Sequence, residues 1–255
     1  MQAAIDRGNH PMEPEVMAQL TQEAQDKVKS GQARIVLWDD IKDNPPPATK
    51  ISPLAAVPHK SRGWRAILDL SFRLRLEAGK YLASVNEGSE KTAPGASIDQ
   101  IGHVLQRIIH AFAQAPDDAR IFMAKWDVKD GFWRMVVEAG EEWNFCYVLP
   151  TPPGEPVQLV VPTSLQMGWI ESPPYFCAAS ETARDVADDY VNAPLGSLPN
   201  HKFQEHTEGH PLFQALPPTA SVETMVSYMV EVYVDDFISL AIPRLKTNCG
   251  TCRRR

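Results

Sequence analysis

Apolar residues recur at helical spacing in some stretches of the chain and on consecutive or alternate positions in others. Val16, Leu20 and Ala24 fall on every fourth position, which predicts a helix over Glu13 to Lys29 with Gly31 as its stop. Ala33 to Trp38 reads as a strand, and Asp39 to Lys50, with Pro45-Pro46-Pro47, as a loop. Two strands follow, Ile51 to Val57 and Trp64 to Leu70, joined by a short basic turn. Glu87 to Ala96 reads as flexible. Ile98 to Ala113 predicts a helix capped by Ser97, with Ile101, Leu105, Ile108 and Ile109 facing inward. Ile121 to Trp126 is a strand-like run ending in Asp127, and further antiparallel strands are expected near Trp133 to Val137, Asn144 to Leu149 and Val157 to Val161. Ser172 and Pro173 read as the cap and first residue of a helix reaching about Tyr190. Val191 to Ala220, rich in Pro, Gly and His, reads as a surface loop. Met225 to Val232 and Ile238 to Ile242 flank a short polar step and predict a hairpin buried on both faces. Helices and antiparallel strands in this order predict an α+β fold.

The polar step of that hairpin is Tyr233-Val234-Asp235-Asp236-Phe237. Adjacent aspartates at a hairpin tip repel each other and are costly to desolvate, and a divalent cation removes both penalties. The plainer reading is an ordinary acidic turn. A second acidic cluster, Asp127-Val128-Lys129-Asp130, follows the strand that ends at Trp126. A carboxylate at the end of one buried strand and a pair at a hairpin tip can meet only if the fold makes those strands neighbours. Three carboxylates without matched bases suit a two-metal site for phosphoryl transfer.

Taken together, these motifs resemble the reverse transcriptase domain of a retrotransposon. Trp126-Asp127-Val128-Lys129-Asp130-Gly131-Phe132 resembles its first aspartate motif, and Tyr233-Val234-Asp235-Asp236 its tyrosine-x-aspartate-aspartate box. Leu165-Gln166-Met167-Gly168-Trp169, followed by Ser172-Pro173, resembles the middle motif. Pro58 to Leu70 resembles the fingers hairpin over the incoming nucleotide. The four stand in the family's order between Ile51 and Ile242. The resemblance implies a right-hand polymerase palm, an antiparallel sheet with helices on one face, plus fingers and no thumb. The parts would be an N-terminal helix and extension over 1–50, fingers and palm over 51–242, and an irregular basic tail over 243–255.

The same resemblance implies site roles. Asp127 and Asp235 would bridge two Mg²⁺ ions, for which Mn²⁺ can substitute. Asp236 would be an auxiliary ligand, and the Val128 carbonyl a further one. Lys60 and Arg65 would hold the triphosphate of a dNTP, with Arg62 as a substitute for Lys60. Phe132 would exclude a ribose 2′-hydroxyl, against the alternative of a core phenylalanine. Asp130 would brace its turn or touch substrate. Gly168 would let backbone approach the nucleotide. Retroviral enzymes carry Pro-Gln-Gly-Trp where this chain has Gln166-Met167-Gly168-Trp169, so the glutamine stands one position early. The partners would be an RNA or DNA template with its primer.

Composition changes this picture in a few respects. A 44% hydrophobic and 22% charged chain of 255 residues is that of a folded globular protein. The net charge of −7 opposes tight duplex binding, although Lys60, Arg62, Arg65, Arg73 and Arg75 cluster in the fingers region. No apolar run reaches membrane-spanning length and no signal-peptide pattern opens the chain, so an intracellular protein of the cytoplasm or nucleus is expected. Cys146, Cys177, Cys249 and Cys252 form no disulfide framework. Cys249-Gly250-Thr251-Cys252 is half a zinc ribbon, and His201, His206 and His210 lack adjacent ligands. The apolar pattern stops after Ile242, which predicts a copy truncated before a thumb and ribonuclease H domain, of weak or no activity alone. The alternative is a non-catalytic retroelement remnant that at most binds nucleic acid or a partner protein.

Overall fold

The computed structural model describes residues 1–60, 63–76, 79–117, 119–152, 154–191 and 225–244. Arg62, His201, His206, His210, Cys249, Cys252 and nearly all of the loop predicted after Val191 lie outside them. The chain is mixed α and β, with small antiparallel sheets, and divides into two compact units, Met1–Pro94 with Lys129–Phe176 and Gly95–Val128 with Cys177–Arg255. In chain order the first unit begins with α1 (Gln2–Arg7), α2 (Pro14–Lys29), β1 (Ala33–Leu37) and α3 (Trp38–Ile41). The hairpin β2 (Leu54–His59) and β3 (Gly63–Leu68) follows, then β4 (Leu74–Arg75), β5 (Tyr81–Leu82) and α4 (Val85–Gly88). The second unit opens with α5 (Ala96–Ile101), α6 (Val104–Gln114) and β6 (Phe122–Asp127). The chain returns to the first unit for two 3-10 turns, Gly131–Arg134 and Glu141–Phe145, and for β7 (Tyr147–Val148) and β8 (Gln158–Pro162). Then α7 (Ser172–Val191) leads back to the second unit and its hairpin, β9 (Met225–Tyr233) and β10 (Asp236–Arg244).

In the first unit α2 forms where periodicity predicts it, with Pro14 in the first turn, where a missing N–H costs nothing. Its Val16, Leu20 and Ala24 enter one core with Leu54, Leu68, Leu70, Phe145 and Val160. Burying each leucine or valine side chain contributes about 1.5–3 kcal/mol. A three-stranded antiparallel sheet runs β1-β8-β7, and β2 pairs β3 with Val57 opposite Arg65. Burial pushes the Cys146 thiol up to about 12 and raises Cys177, so both pack as small hydrophobes.

Several expectations need correction. Ile51 makes only an isolated parallel bridge to Cys146, so β2 begins at Leu54. The expected loop from Asp39 contains α3, begun by the buried Trp38. Glu87 closes a capping box with Ser84 at α4 and also pairs Arg73. That ion pair pushes the Glu87 carboxyl down to about 2. The strand expected at Trp133 to Val137 is a 3-10 turn followed by a single bridge from Val136 to Ser164, and a second 3-10 turn replaces the start of the Asn144 strand. Ser172 does not cap α7: its hydroxyl donates to the Gln166 carbonyl at 2.8 Å. The helix expected from Ile98 to Ala113 is two helices broken at Gly102-His103, and Ser97 lies inside the first. Val104 is its buried residue, whereas Leu105 (65%) and Ile109 (58%) face solvent.

The second unit is built on a sheet of order β6-β10-β9. Val232 and Leu240 are buried on its opposite faces, as the apolar hairpin predicted. Glu231, only 2% exposed, lies on β9 and takes two hydrogen bonds from Arg107 of α6, Nε to Oε1 at 2.7 Å and Nη2 to Oε2 at 2.6 Å. Such a bidentate pair compensates the desolvation of the carboxylate and fixes α6 against the sheet. The Val230 N–H on β9 donates to the Asp188 carboxylate of α7 at 3.2 Å. By contrast β6 is exposed along its whole length, correcting the expected buried strand. Among the described residues it is an edge strand, paired on one side only. Among the described residues no helix is long and apolar enough to cross a membrane.

Removing Arg107 leaves the Glu231 carboxylate, 2% exposed, buried without its counter-ion. Arg107→Ala is expected to lower unfolding stability by about 3 kcal/mol, and the paired replacement Arg107→Met with Glu231→Leu to recover most of it. Urea unfolding of the three proteins checks this.

Candidate functional site

Asp127 ends β6 and Asp236 begins β10, and the two are register partners. The Val128 N–H donates to the Asp235 carbonyl at 3.1 Å, continuing the ladder one residue beyond them. Hydrogen-bonded and non-hydrogen-bonded pairs alternate in an antiparallel ladder, so Asp127 and Asp236 form a non-hydrogen-bonded pair, the kind with the closer side chains. Both carboxylates project from the same face of the sheet, because directly opposed residues share a face. Asp235 occupies the two-residue turn between Tyr233 and Asp236. Its neighbour Val234 has φ 59°, a left-handed conformation that a β-branched residue adopts only under strain. A turn with positive φ at its first central position matches the twist of the flanking strands.

Two like charges placed directly across a ladder destabilise it. Lys125 answers part of that cost. It lies two residues before Asp127 on the same face, and its Nζ stands 2.7 Å from Asp236 Oδ2. Its ammonium is held above the ordinary lysine value, chiefly by the hydrogen bond to Asp236 and also by the charges of Asp236, Asp127 and Asp235. A raised folded pKa means the pair contributes fully below the ordinary lysine range and is lost only as pH climbs through the raised value. Period-two spacing could have singled out Lys125 in the sequence, where only the aspartates drew notice.

These oxygen donors are of the type Mg²⁺ and Mn²⁺ prefer. Among the described residues no group of three or more His, Cys, Asp or Glu side chains stands in a metal-holding arrangement. The fit is therefore one of donor chemistry and charge: three carboxylates within the electrostatic reach of one ammonium, which stands at Asp236 as a monovalent cation.

The remaining predicted residues belong to the first unit. Lys60 is exposed in the turn after β2. Arg65 lies on β3 and directs Nη2 to the Met167 sulfur, 2.6 Å away. Gly168 has φ +102°, and a Cβ there would stand 3.1 Å from the Leu68 carbonyl oxygen, so both conformation and space demand glycine. Its carbonyl accepts from Asn86 Nδ2 at 2.9 Å. The β2–β3 hairpin and the Gln166–Trp169 segment thus meet. Gln166 is buried, its amide donating to the Ser164 and Leu165 carbonyls at 2.9 and 3.2 Å, which makes it a brace of its own loop. Phe132 packs on Phe176 with ring centroids 5.0 Å apart. Asp130, at φ 55°, pairs with Lys27 at 3.2 Å and braces its turn. A cleft of about 690 Å³ in this unit, lined by Lys50, Val85, Phe145, Trp169 and Tyr175 among others, includes none of the predicted residues.

No protein-family model matches the chain, and no curated protein matches it.

A divalent cation must compete with Lys125 for Asp236. Mn²⁺ followed by electron paramagnetic resonance is expected to bind the wild type, to bind Lys125→Met about tenfold more tightly, and to be lost when Asp127→Asn and Asp236→Asn are combined. Equal affinity in wild type and Lys125→Met would contradict the competition.

Proposed function

We propose that the chain carries the fingers and palm of an RNA-directed DNA polymerase that transfers nucleotides from a dNTP to a primer 3′-hydroxyl on an RNA or DNA template. The observation that carries this reading is the register of Asp127 opposite Asp236, with Asp235 in the adjoining turn. Residues remote in the sequence, selected by two separate motifs, lie side by side on one face of one sheet. An acidic turn of no chemical purpose has no need of a second carboxylate across the ladder.

In this reading Asp127, Asp235 and Asp236, with the Val128 carbonyl, hold Mg²⁺. The bound ions supply positive charge that favours an alkoxide nucleophile and neutralises charge developing on the leaving oxygen. Lys60 and Arg65 hold the triphosphate by charge and by a planar donor fork. Lys125, paired with Asp236, offsets part of the repulsion among the carboxylates before substrate binds. Phe132, braced by Phe176, presents a bulky fixed ring that would exclude a ribose 2′-hydroxyl. The Gly168 backbone flanks the base or sugar.

A second reading is favoured by one observation. Asp236 already has a counter-ion in Lys125 at 2.7 Å, so the acidic turn can be stable as a purely structural feature. The chain would then be a non-catalytic remnant that binds nucleic acid or a partner protein.

Primer extension on an RNA template with Mg²⁺ separates the two. The wild type is expected to extend, and Asp127→Asn and Asp235→Asn to lose at least about 100-fold in rate. No extension by wild type above the Asp235→Asn background would leave the remnant reading standing.

A further inference from the structure

The two edges of the β6-β10-β9 sheet differ. On the β9 side the Val230 N–H is taken by Asp188. On the β6 side every residue from Phe122 to Asp127 is exposed. The ladder fixes which backbone groups face outward there. Val128 bonds towards β10, so Phe122, Ala124 and Trp126 bond inward, and Met123, Lys125 and Asp127 turn their N–H and C=O groups away from the sheet. Among the described residues nothing bonds the outward groups of Met123 and Lys125. Native edges are commonly defended by an outward lysine, a proline or a bulge. This strand has one lysine, and it is drawn over the sheet face to Asp236. Three large apolar side chains remain open: Phe122 at 56%, Met123 at 65% and Trp126 at 62%.

We infer that the free edge of β6 is a self-association surface, on which a second copy of this chain pairs its own β6 antiparallel about a two-fold axis through Ala124. The strand is self-complementary in that register. A two-fold perpendicular to the sheet keeps faces matched, so each residue must oppose one of the same face. Centring on Ala124 puts Met123 opposite Lys125 of the other copy, and these are the residues whose backbone groups point outward, so they form the hydrogen-bonded pairs. Ala124 then meets Ala124, the smallest side chain of the strand at the crowded axis. Phe122 meets Trp126 on each side of it, in the closer, non-hydrogen-bonded class of pair, where aromatic pairs add to stability. Centring one position further, on Lys125, would set two ammonium groups face to face. A single strand pair is small beside a standard interface of about 1,600 Å², so the dimer forms at high protein concentration and dissociates on dilution.

The register gives the test. The full chain carrying Cys249→Ser and Cys252→Ser retains two cysteines, both buried. In that background Ala124→Cys places two thiols across the axis at disulfide spacing, and mild oxidation is expected to give covalent dimer at least about fivefold above Met123→Cys or Lys125→Cys. Sedimentation of the unmodified chain is expected to show mass rising with concentration, and Ala124→Lys to hold it monomeric with an unchanged circular dichroism spectrum. Equal cross-linking at the three positions would reveal unspecific contact and overturn the register. Absence of an Ala124→Cys dimer, or a wild type monomeric at every concentration, would overturn self-association and leave the edge to a strand of another protein.

Discussion

Two carboxylates facing each other across an antiparallel ladder set the terms for the second unit. Asp127 and Asp236 are brought together by the least flexible feature a sheet has, its register. A slip of one residue would send their side chains to opposite faces. That slip is resisted from several directions. Val232 and Leu240 are buried on the two faces, the Glu231–Arg107 pair ties β9 to α6, and Asp188 holds the β9 edge. The two-residue turn, with Val234 held at positive φ, fixes the β9–β10 alignment at its tip. The carboxylates therefore stand close because the surrounding packing requires it, and their repulsion must be met by positive charge. Lys125 supplies one charge. A divalent cation would supply more, and the proposed chemistry depends on that difference.

Much of this was legible in the sequence. α2 and the β2–β3 and β9–β10 hairpins carry strong periodic signals, and their elements lie close to where those signals put them. The proximity of Asp127 to the hairpin tip is not legible, since spacing along a chain says nothing about which strands are neighbours. Burial was less legible. An apolar run such as Ile121 to Trp126 looks the same in a central strand and at an edge, and only the sheet order tells them apart. The break at Gly102-His103 was hidden because apolar residues continue on both sides of it. The Arg107–Glu231 pair left no local trace, because its members are a helix residue and a strand residue brought together by packing.

The first unit shows how one residue can satisfy a motif and a structural need together. Gly168 matches the middle motif, yet its φ and the approach of the Leu68 carbonyl would demand glycine in any case. Gln166 stands one position early against the retroviral pattern, and its buried amide braces the loop. Phe132 matches the position of a sugar-facing ring and also packs on Phe176. These residues fit the proposed polymerase without distinguishing it from a scaffold. The aspartates bear on the proposal more directly, because facing carboxylates are a cost to a scaffold, of which Lys125 meets a part, and an asset to a metal site.

The most direct measurement is therefore the coupling between those two side chains. A double-mutant cycle of Asp127→Asn and Asp236→Asn, read by chemical unfolding with and without Mg²⁺, isolates it from the separate loss of the Lys125 contact. In a chelating buffer the cycle is predicted to return a repulsion of about 0.2–1 kcal/mol, and with Mg²⁺ a favourable coupling of opposite sign. Additive effects in both buffers would mean that the two carboxylates neither face each other nor share a cation, and would contradict the account.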